Sequence, residues 1–254
     1  MNILQTVILG IVEGITEFLP VSSTFHLIWT SKILGIQQTP FLKLFEVAIQ
    51  SGAILAVIAS FAKTALRNPS LIKKVLVAFV PTAIVGFFLF NIIKNIFLEN
   101  ASLQITMFIL VGVAFILFER FSKLSLTRSI TSITYTEAFL VGIAQSLAVI
   151  PGVSRAGAVL LALMALAIKR KDAAEFSFLL AVPTIFAASV LDIAASHPAI
   201  TNQQEGIVLA VGFLIACITA LLVVQWLLKY LERHTLSAFG WYRLALGVLL
   251  LFLV

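Results

Sequence analysis

Long apolar runs, parted by short polar segments, dominate the chain. Six are uninterrupted, at about 41–62, 75–93, 103–118, 173–195, 206–228 and a shorter one at 239–254. Most approach the roughly 20 residues a helix needs to cross a bilayer, and they lack the alternation of barrel strands. Two further runs, about 3–30 and 137–168, are broken from within. Glu13, Gly14, Glu17 and Pro20 interrupt the first; Gln145, Pro151, Gly152, Ser154 and Arg155 interrupt the second. The pattern predicts an all-α polytopic membrane protein.

The broken runs resemble each other. With "GIVEGITEFLPVSS" (10–23) set on "GIAQSLAVIPGVSR" (142–155), Gly10 meets Gly142, Ile11 Ile143, Glu13 Gln145, Val21 Val153 and Ser22 Ser154. "LVGVAFILF" late in the first half likewise faces "ALGVLLLFL" at the C-terminus. We therefore expect a single membrane domain of two repeats, about 1–125 and 130–254. Each would hold a re-entrant helical hairpin and three transmembrane helices. An odd number of crossings inverts the second repeat.

Charge bears on that topology. Loops 63–74 (Lys63, Arg67, Lys73, Lys74), 119–136 (Arg120, Lys123, Arg128), 169–172 (Lys169, Arg170, Lys171) and 229–238 (Lys229, Arg233) hold 12 of the 17 basic residues. The opposite loops contribute Lys32 and Lys94. Re-entrant hairpins put all the rich loops on one side, which the positive-inside rule makes cytoplasmic, with both termini outside. A fully spanning broken segment would split them between two sides.

Composition agrees: with 61% hydrophobic and 11% charged residues, the chain has more apolar side chain than a globule of 254 residues can enclose. The formal charge of +6 reflects those loops, and no basic stripe interleaved with aromatics indicates nucleic acid. Segment 3–30 has no basic n-region and no small-residue cleavage site, so it is expected to belong to the mature fold. Cys217, the one cysteine, can form no intrachain disulfide.

Broken helices at membrane depth must be buried in protein or line a wet cavity. Two hairpins entering from opposite faces would meet near the midplane, and their polar residues are the candidate site. Glu13 and Glu17, four apart, share a helix face. Such carboxylates repel unless one is protonated or a cation lies between them. Pro20 should end that helix, and Ser22, Ser23 and Thr24 are candidate caps of a new one, whose N-terminus attracts anions. His26, three residues after Ser23, is placed to activate a serine nucleophile. The second hairpin adds a cap at Ser154 and, at Arg155, a cation suited to bidentate phosphate recognition. Hydroxyls, helix starts and an arginine call for phosphate, which paired glutamates would repel. A divalent metal reconciles them, and the oxygen donors favour Mg²⁺ or Ca²⁺. The combination suits phosphoryl transfer.

"VEGITEFLPVSSTFHL", "EVAIQSGAILAV", "PGVSRAG" and "FGWYR" together resemble the undecaprenyl pyrophosphate phosphatases, the bacitracin resistance protein family, in the right order over essentially the whole chain. The resemblance implies an enzyme of the bacterial inner membrane, a homodimer whose active site opens to the periplasmic face. Its substrate would be a polyprenyl diphosphate lipid, undecaprenyl diphosphate, hydrolysed to the monophosphate carrier used in peptidoglycan synthesis. It also implies metal binding by Glu13 and Glu17, and catalysis by Ser23 and His26 with Glu17. Ser22 and Thr24 would assist, and Ser154, Arg155 and Arg243 would contact phosphate. Two places depart from the family pattern: Phe25 stands where it has glycine, and "SRAGAV" where it has "SRSGAT", so Ala156 and Val159 replace two hydroxyl residues. The alternative reading is an inverted-repeat transporter or flippase of a phosphate-bearing lipid or anion. A carrier needs reversible anion binding but no nucleophile, so the Ser23–His26 pair is the discriminating feature.

Overall fold

The computed structural model describes residues 1–89, 92, 96, 97, 100–196, 200 and 202–252. Lys94 and His197 lie outside the described residues. The helices are α1 (Ile3–Thr16), α2 (Ser23–Ile33), α3 (Pro40–Arg67), α4 (Pro69–Phe88), α5 (Ala101–Phe121), α6 (Tyr135–Ser146), α7 (Arg155–Ala165), α8 (Arg170–Ser196), α9 (Gln203–Arg233) and α10 (Ser237–Leu251). Of these, α3, α4, α5, α8 and α9 are long and apolar enough to cross a membrane. The expected sixth crossing, α10, has 15 residues, about 22 Å at 1.5 Å per residue.

Several boundaries differ from the sequence expectation for reasons of capping. The loop foreseen at 63–74 shrinks to Asn68, which ends α3 and whose side chain accepts the Leu71 amide to start α4, with Pro69 at the first helical position. In the first broken run the helix carries through Glu13 and Gly14 and ends at Thr16, four residues ahead of Pro20. In the second, Gln145 is helical, and the break falls between Ser146 and Arg155 with a 3-10 turn at Leu147–Val149. Gly152, at φ 97°, makes that break tight: a Cβ there would run into the Gln104 carbonyl.

Each broken run is a hairpin that starts and ends together. Gln5 Nε2 donates to the Leu34 carbonyl at 3.2 Å across the open end of α1–α2. At the open end of α6–α7, Arg128 pairs with the 167–169 segment as an isolated bridge through two 3.0 Å backbone bonds, and its guanidinium forks onto Glu137. The basic segments converge at this second end. Lys74 Nζ reaches the Thr131 carbonyl at 3.1 Å, Lys171 pairs with Glu232 at 2.7 Å, and Glu119 binds Arg170 and caps the Leu236 amide at 2.9 Å. Helix α3 runs from one open end to the other: it starts at Pro40, whose neighbours Thr39, Phe41 and Leu42 line a cavity with Met1 and Gln5, and ends beside α4. Its 28 residues cover about 42 Å, so the hairpins enter from opposite ends.

Packing partners exchange when the two halves are exchanged. Helix α1 packs on α9 and α6 on α4; α3 packs on α9 and α8 on α4; α3 meets α8 and α5 meets α10. At the centre, Phe18 in the first turn meets the edge of Phe178 on α8, with centroids 5.4 Å apart. The tip of the first hairpin is thereby tied into the main apolar core.

Candidate active site

Glu13 lies in the last turn of α1, and Glu17 is its C-cap, with its amide bonded to the Glu13 carbonyl at 2.9 Å. Both side chains are buried. Among the described residues, neither Glu13 carboxylate oxygen has a hydrogen-bond partner. Glu46 on α3 adds a further carboxyl group within electrostatic range.

Glu17 is held from two directions. Ser23, the first residue of α2, donates its hydroxyl to Oε2. Arg155, the first residue of α7, donates Nη2 to Oε1 at 3.2 Å and Nη1 to the Ser177 carbonyl at 2.9 Å. The Arg155 and Glu17 side chains are only 11% and 7% exposed, so water screens their attraction far less than that of a surface pair. One carboxylate thus joins the starts of both half-helices.

The residue before each half-helix is a serine in the left-handed region, Ser22 at φ 67° and Ser154 at φ 73°. A non-glycine residue there costs on the order of 1–3 kcal/mol and persists where its surroundings impose it. Ser154 closes its turn by accepting the Gly157 amide at 3.2 Å, whereas the Ser22 side chain makes no such cap. Thr24 sits half-buried in the first turn of α2. The first amides of α2 and α7 lack intrahelical acceptors, which suits both ends to an anion.

Two expectations change. His26 does not bond to Ser23. Its Nδ1 lies 2.8 Å from the Ser22 carbonyl and its Nε2 2.7 Å from the Tyr242 hydroxyl. The spacing of three put both residues on one helix start, but the Ser22 carbonyl, which also accepts the His26 amide at 3.2 Å, took the ring as well, and Ser23 turned to Glu17. Arg243, expected at the phosphate, is fully buried and grips the backbone of both turns. Nε donates to the Phe108 carbonyl at 2.9 Å, Nη1 to Pro20 at 3.0 Å, and Nη2 to Gly152 and Val153. Its carbon centre lies 4.4 Å over the Phe108 ring. Turn carbonyls at membrane depth have no helical donors, and a guanidinium offers five.

The departures from the family pattern are packed. Phe25 stacks on Phe108 at 4.0 Å, near parallel. Ala156 and Val159 are buried in α7, Val159 within the main core. His234 caps the end of α9, its Nδ1 3.1 Å from the Tyr230 carbonyl. Sequence reasoning missed Tyr242 and the double engagement of Glu17. The only signal for Tyr242 was its place beside Arg243 in "FGWYR".

Among the described residues, no three carboxylate, imidazole or thiol side chains converge on a metal-sized space. The donor set nevertheless fits a hard divalent cation. Glu13 presents two buried oxygens without donors, and Mg²⁺ is commonly held by one or two carboxylates with phosphate oxygens and water completing its shell.

A profile described as bacitracin resistance protein BacA matches residues 6–249. The chain belongs to this family. Among its relatives, the undecaprenyl-diphosphatase of Aquifex aeolicus is 44% identical over 245 residues, covering 96% of this chain and 95% of the relative. That of Sulfurihydrogenibium sp. is 47% identical over 251 residues, covering 98% of each. That of Persephonella marina is 45% identical over 256 residues, covering the whole of both chains. These three relatives each match at least 96% of this chain.

Proposed function

We propose that this BacA-family protein is a membrane phosphatase that hydrolyses undecaprenyl diphosphate to undecaprenyl phosphate and inorganic phosphate. The observation that carries this reading is the hydrogen bond from Ser23 to Glu17: a hydroxyl at a helix start, bonded to a buried carboxylate that can take its proton. An anion carrier has no use for that pair, whereas phosphoryl transfer does. The names of the relatives support the same substrate.

In the proposed reaction, the first amides of α2 and α7, with Arg155, hold the terminal phosphate. The Ser23 oxygen attacks its phosphorus in line, the bond to the bridging oxygen breaks, and Glu17 takes the hydroxyl proton. Undecaprenyl phosphate departs and a phosphoserine remains. Water then attacks that phosphorus, its proton passing to the His26 imidazole and from there to solvent, while Ser23 recovers its proton from Glu17 and inorganic phosphate leaves. Glu13 and Glu17 would hold a divalent cation, Mg²⁺ or Ca²⁺, which when bound supplies charge neutralisation on the phosphate oxygens.

The protein is further proposed to lie in the bacterial inner membrane as a homodimer of inverted repeats, its basic end cytoplasmic and its site open to the periplasm. The distribution of basic residues supports that orientation. The function is tested with purified protein in detergent, undecaprenyl diphosphate and Mg²⁺ or Ca²⁺. Phosphate release that EDTA and Glu17→Gln abolish is the expected result. A folded preparation that releases none with either metal contradicts the proposal.

A further inference from the structure

The first hairpin's imidazole is held at both nitrogens, and the two partners dictate its protonation. The Ser22 carbonyl can only accept, so the nitrogen 2.8 Å from it, Nδ1, carries the proton. In the neutral ring Nε2 is therefore the acceptor, and the hydrogen of the 2.7 Å contact belongs to the Tyr242 hydroxyl. The rings also lie parallel, 8° apart in plane with centroids 5.8 Å apart. Tyr242 reaches this position because the next residue, Arg243, is bound to the carbonyls of both hairpin turns. Two glycines allow that approach: a Cβ on Gly112 would lie 2.9 Å from the Arg243 Cβ, and one on Gly240 would lie 2.7 Å from the Gly112 carbonyl.

We infer that Tyr242 positions His26 and couples it to the reaction: its hydroxyl holds the neutral imidazole by donating to Nε2. As the attacking water gives a proton to the Tyr242 oxygen, the hydroxyl's own proton passes to Nε2, so Tyr242 acts only through that ring. The inference rests on the phosphatase reading for its kinetic consequence, but not for the ring geometry. Tyr242 lies on α10, and its hydroxyl and the Ser22 carbonyl hold the ring at its two nitrogens. Without the hydroxyl, the ring keeps its stack and its Nδ1 bond but loses the contact through which a proton reaches Nε2. Phosphate binding by Arg155 and the helix starts is untouched, so kcat should change and KM should not.

The test uses full-length protein carrying ¹⁵N-histidine, with His26→Ala to assign the signal. In Tyr242→Phe, the Nε2 resonance of His26 should shift as its hydrogen-bond donor is lost, while the Nδ1 resonance stays that of a protonated nitrogen. An unchanged Nε2 signal overturns the inference, whatever the activity of the protein. In kinetics, Tyr242→Phe should lower kcat about tenfold with KM unchanged, and should cost nothing further in a His26→Ala background. A tenfold loss that persists in that background, or a loss confined to KM, shows that Tyr242 acts independently of His26 and overturns it. If no variant of a folded preparation releases phosphate, the phosphatase reading fails and the ¹⁵N result alone decides this one.

Discussion

Glu13 and Gln145 occupy matching places near the ends of α1 and α6, one turn or more before their hairpin tips, yet they are partnered differently. The Gln145 amide nitrogen donates to the Thr82 hydroxyl at 2.8 Å and the Thr184 hydroxyl at 3.2 Å, and Thr82 in turn donates to the Gly142 carbonyl. Among the described residues the Gln145 oxygen has no partner, but Glu13 has no nitrogen to donate and neither of its oxygens has a partner. The same contrast holds at the tips: Ser154 closes its own helix, whereas the hydroxyl of Ser23 is bonded to a carboxylate. One backbone device therefore serves two purposes. In the second hairpin it is mostly a scaffold that contributes Arg155. In the first, polar groups are left available for a ligand, and the cost of burying them is offset only when one arrives.

That contrast is broken most sharply by exchanging alanine for each serine. Ser23→Ala should lower kcat about a thousandfold, the scale set by loss of a nucleophile. Ser154→Ala should cost about 1 kcal/mol of stability as a lost cap and little rate, as thermal unfolding in detergent and phosphate release would show. Equal rate losses would erase the distinction.

Arg243→Lys probes what the two hairpins share. Lysine keeps the charge but cannot bridge the Phe108, Pro20 and Gly152 carbonyls at once, so stability should fall by about 3 kcal/mol. The measurement is unfolding in detergent, and an unchanged midpoint would mean that the turns hold without the guanidinium. Glu13→Gln copies the second hairpin's residue into the first. We expect kcat to fall about a hundredfold and the half-saturating Mg²⁺ concentration to rise. The unfolding midpoint should stay level or rise, because a buried carboxyl without a hydrogen-bond donor beside it is replaced by an amide of the same shape. The smallest effect belongs to Ala156→Ser, which puts a hydroxyl on α7: its position is buried, so activity should stay within about twofold. A large gain would show that the second hairpin contacts phosphate through this position.

Much of this architecture was legible in the chain. Breaks inside two apolar runs, matched by Gly10 with Gly142 and Ser22 with Ser154, disclosed the hairpins, and the basic loops disclosed their grouping at one end. The spacing of four between Glu13 and Glu17 correctly placed them one turn apart. What the chain did not disclose was partner choice. Ser23 could turn to His26 or to Glu17, and His26 to Ser23 or to a carbonyl. Local spacing does not rank acceptors that a helix break frees. Arg243 misled for a related reason: arginine near a phosphate site reads as a ligand, but the carbonyls it satisfies arise only when two distant turns come together. Tyr242 carried no periodicity or spacing of its own, and only the anchoring of Arg243 brings it to His26.

The central claim is that the reacting hydroxyl belongs to the first hairpin, at Ser23. It is tested most directly by rapid-quench of the purified protein mixed with undecaprenyl diphosphate and Mg²⁺, followed by mapping of the phosphorylated peptide. The account predicts transient phosphate on Ser23, formed before steady-state release and absent in Glu17→Gln. Turnover at the normal rate by Ser23→Ala, or phosphate trapped on Ser154 instead, would contradict it.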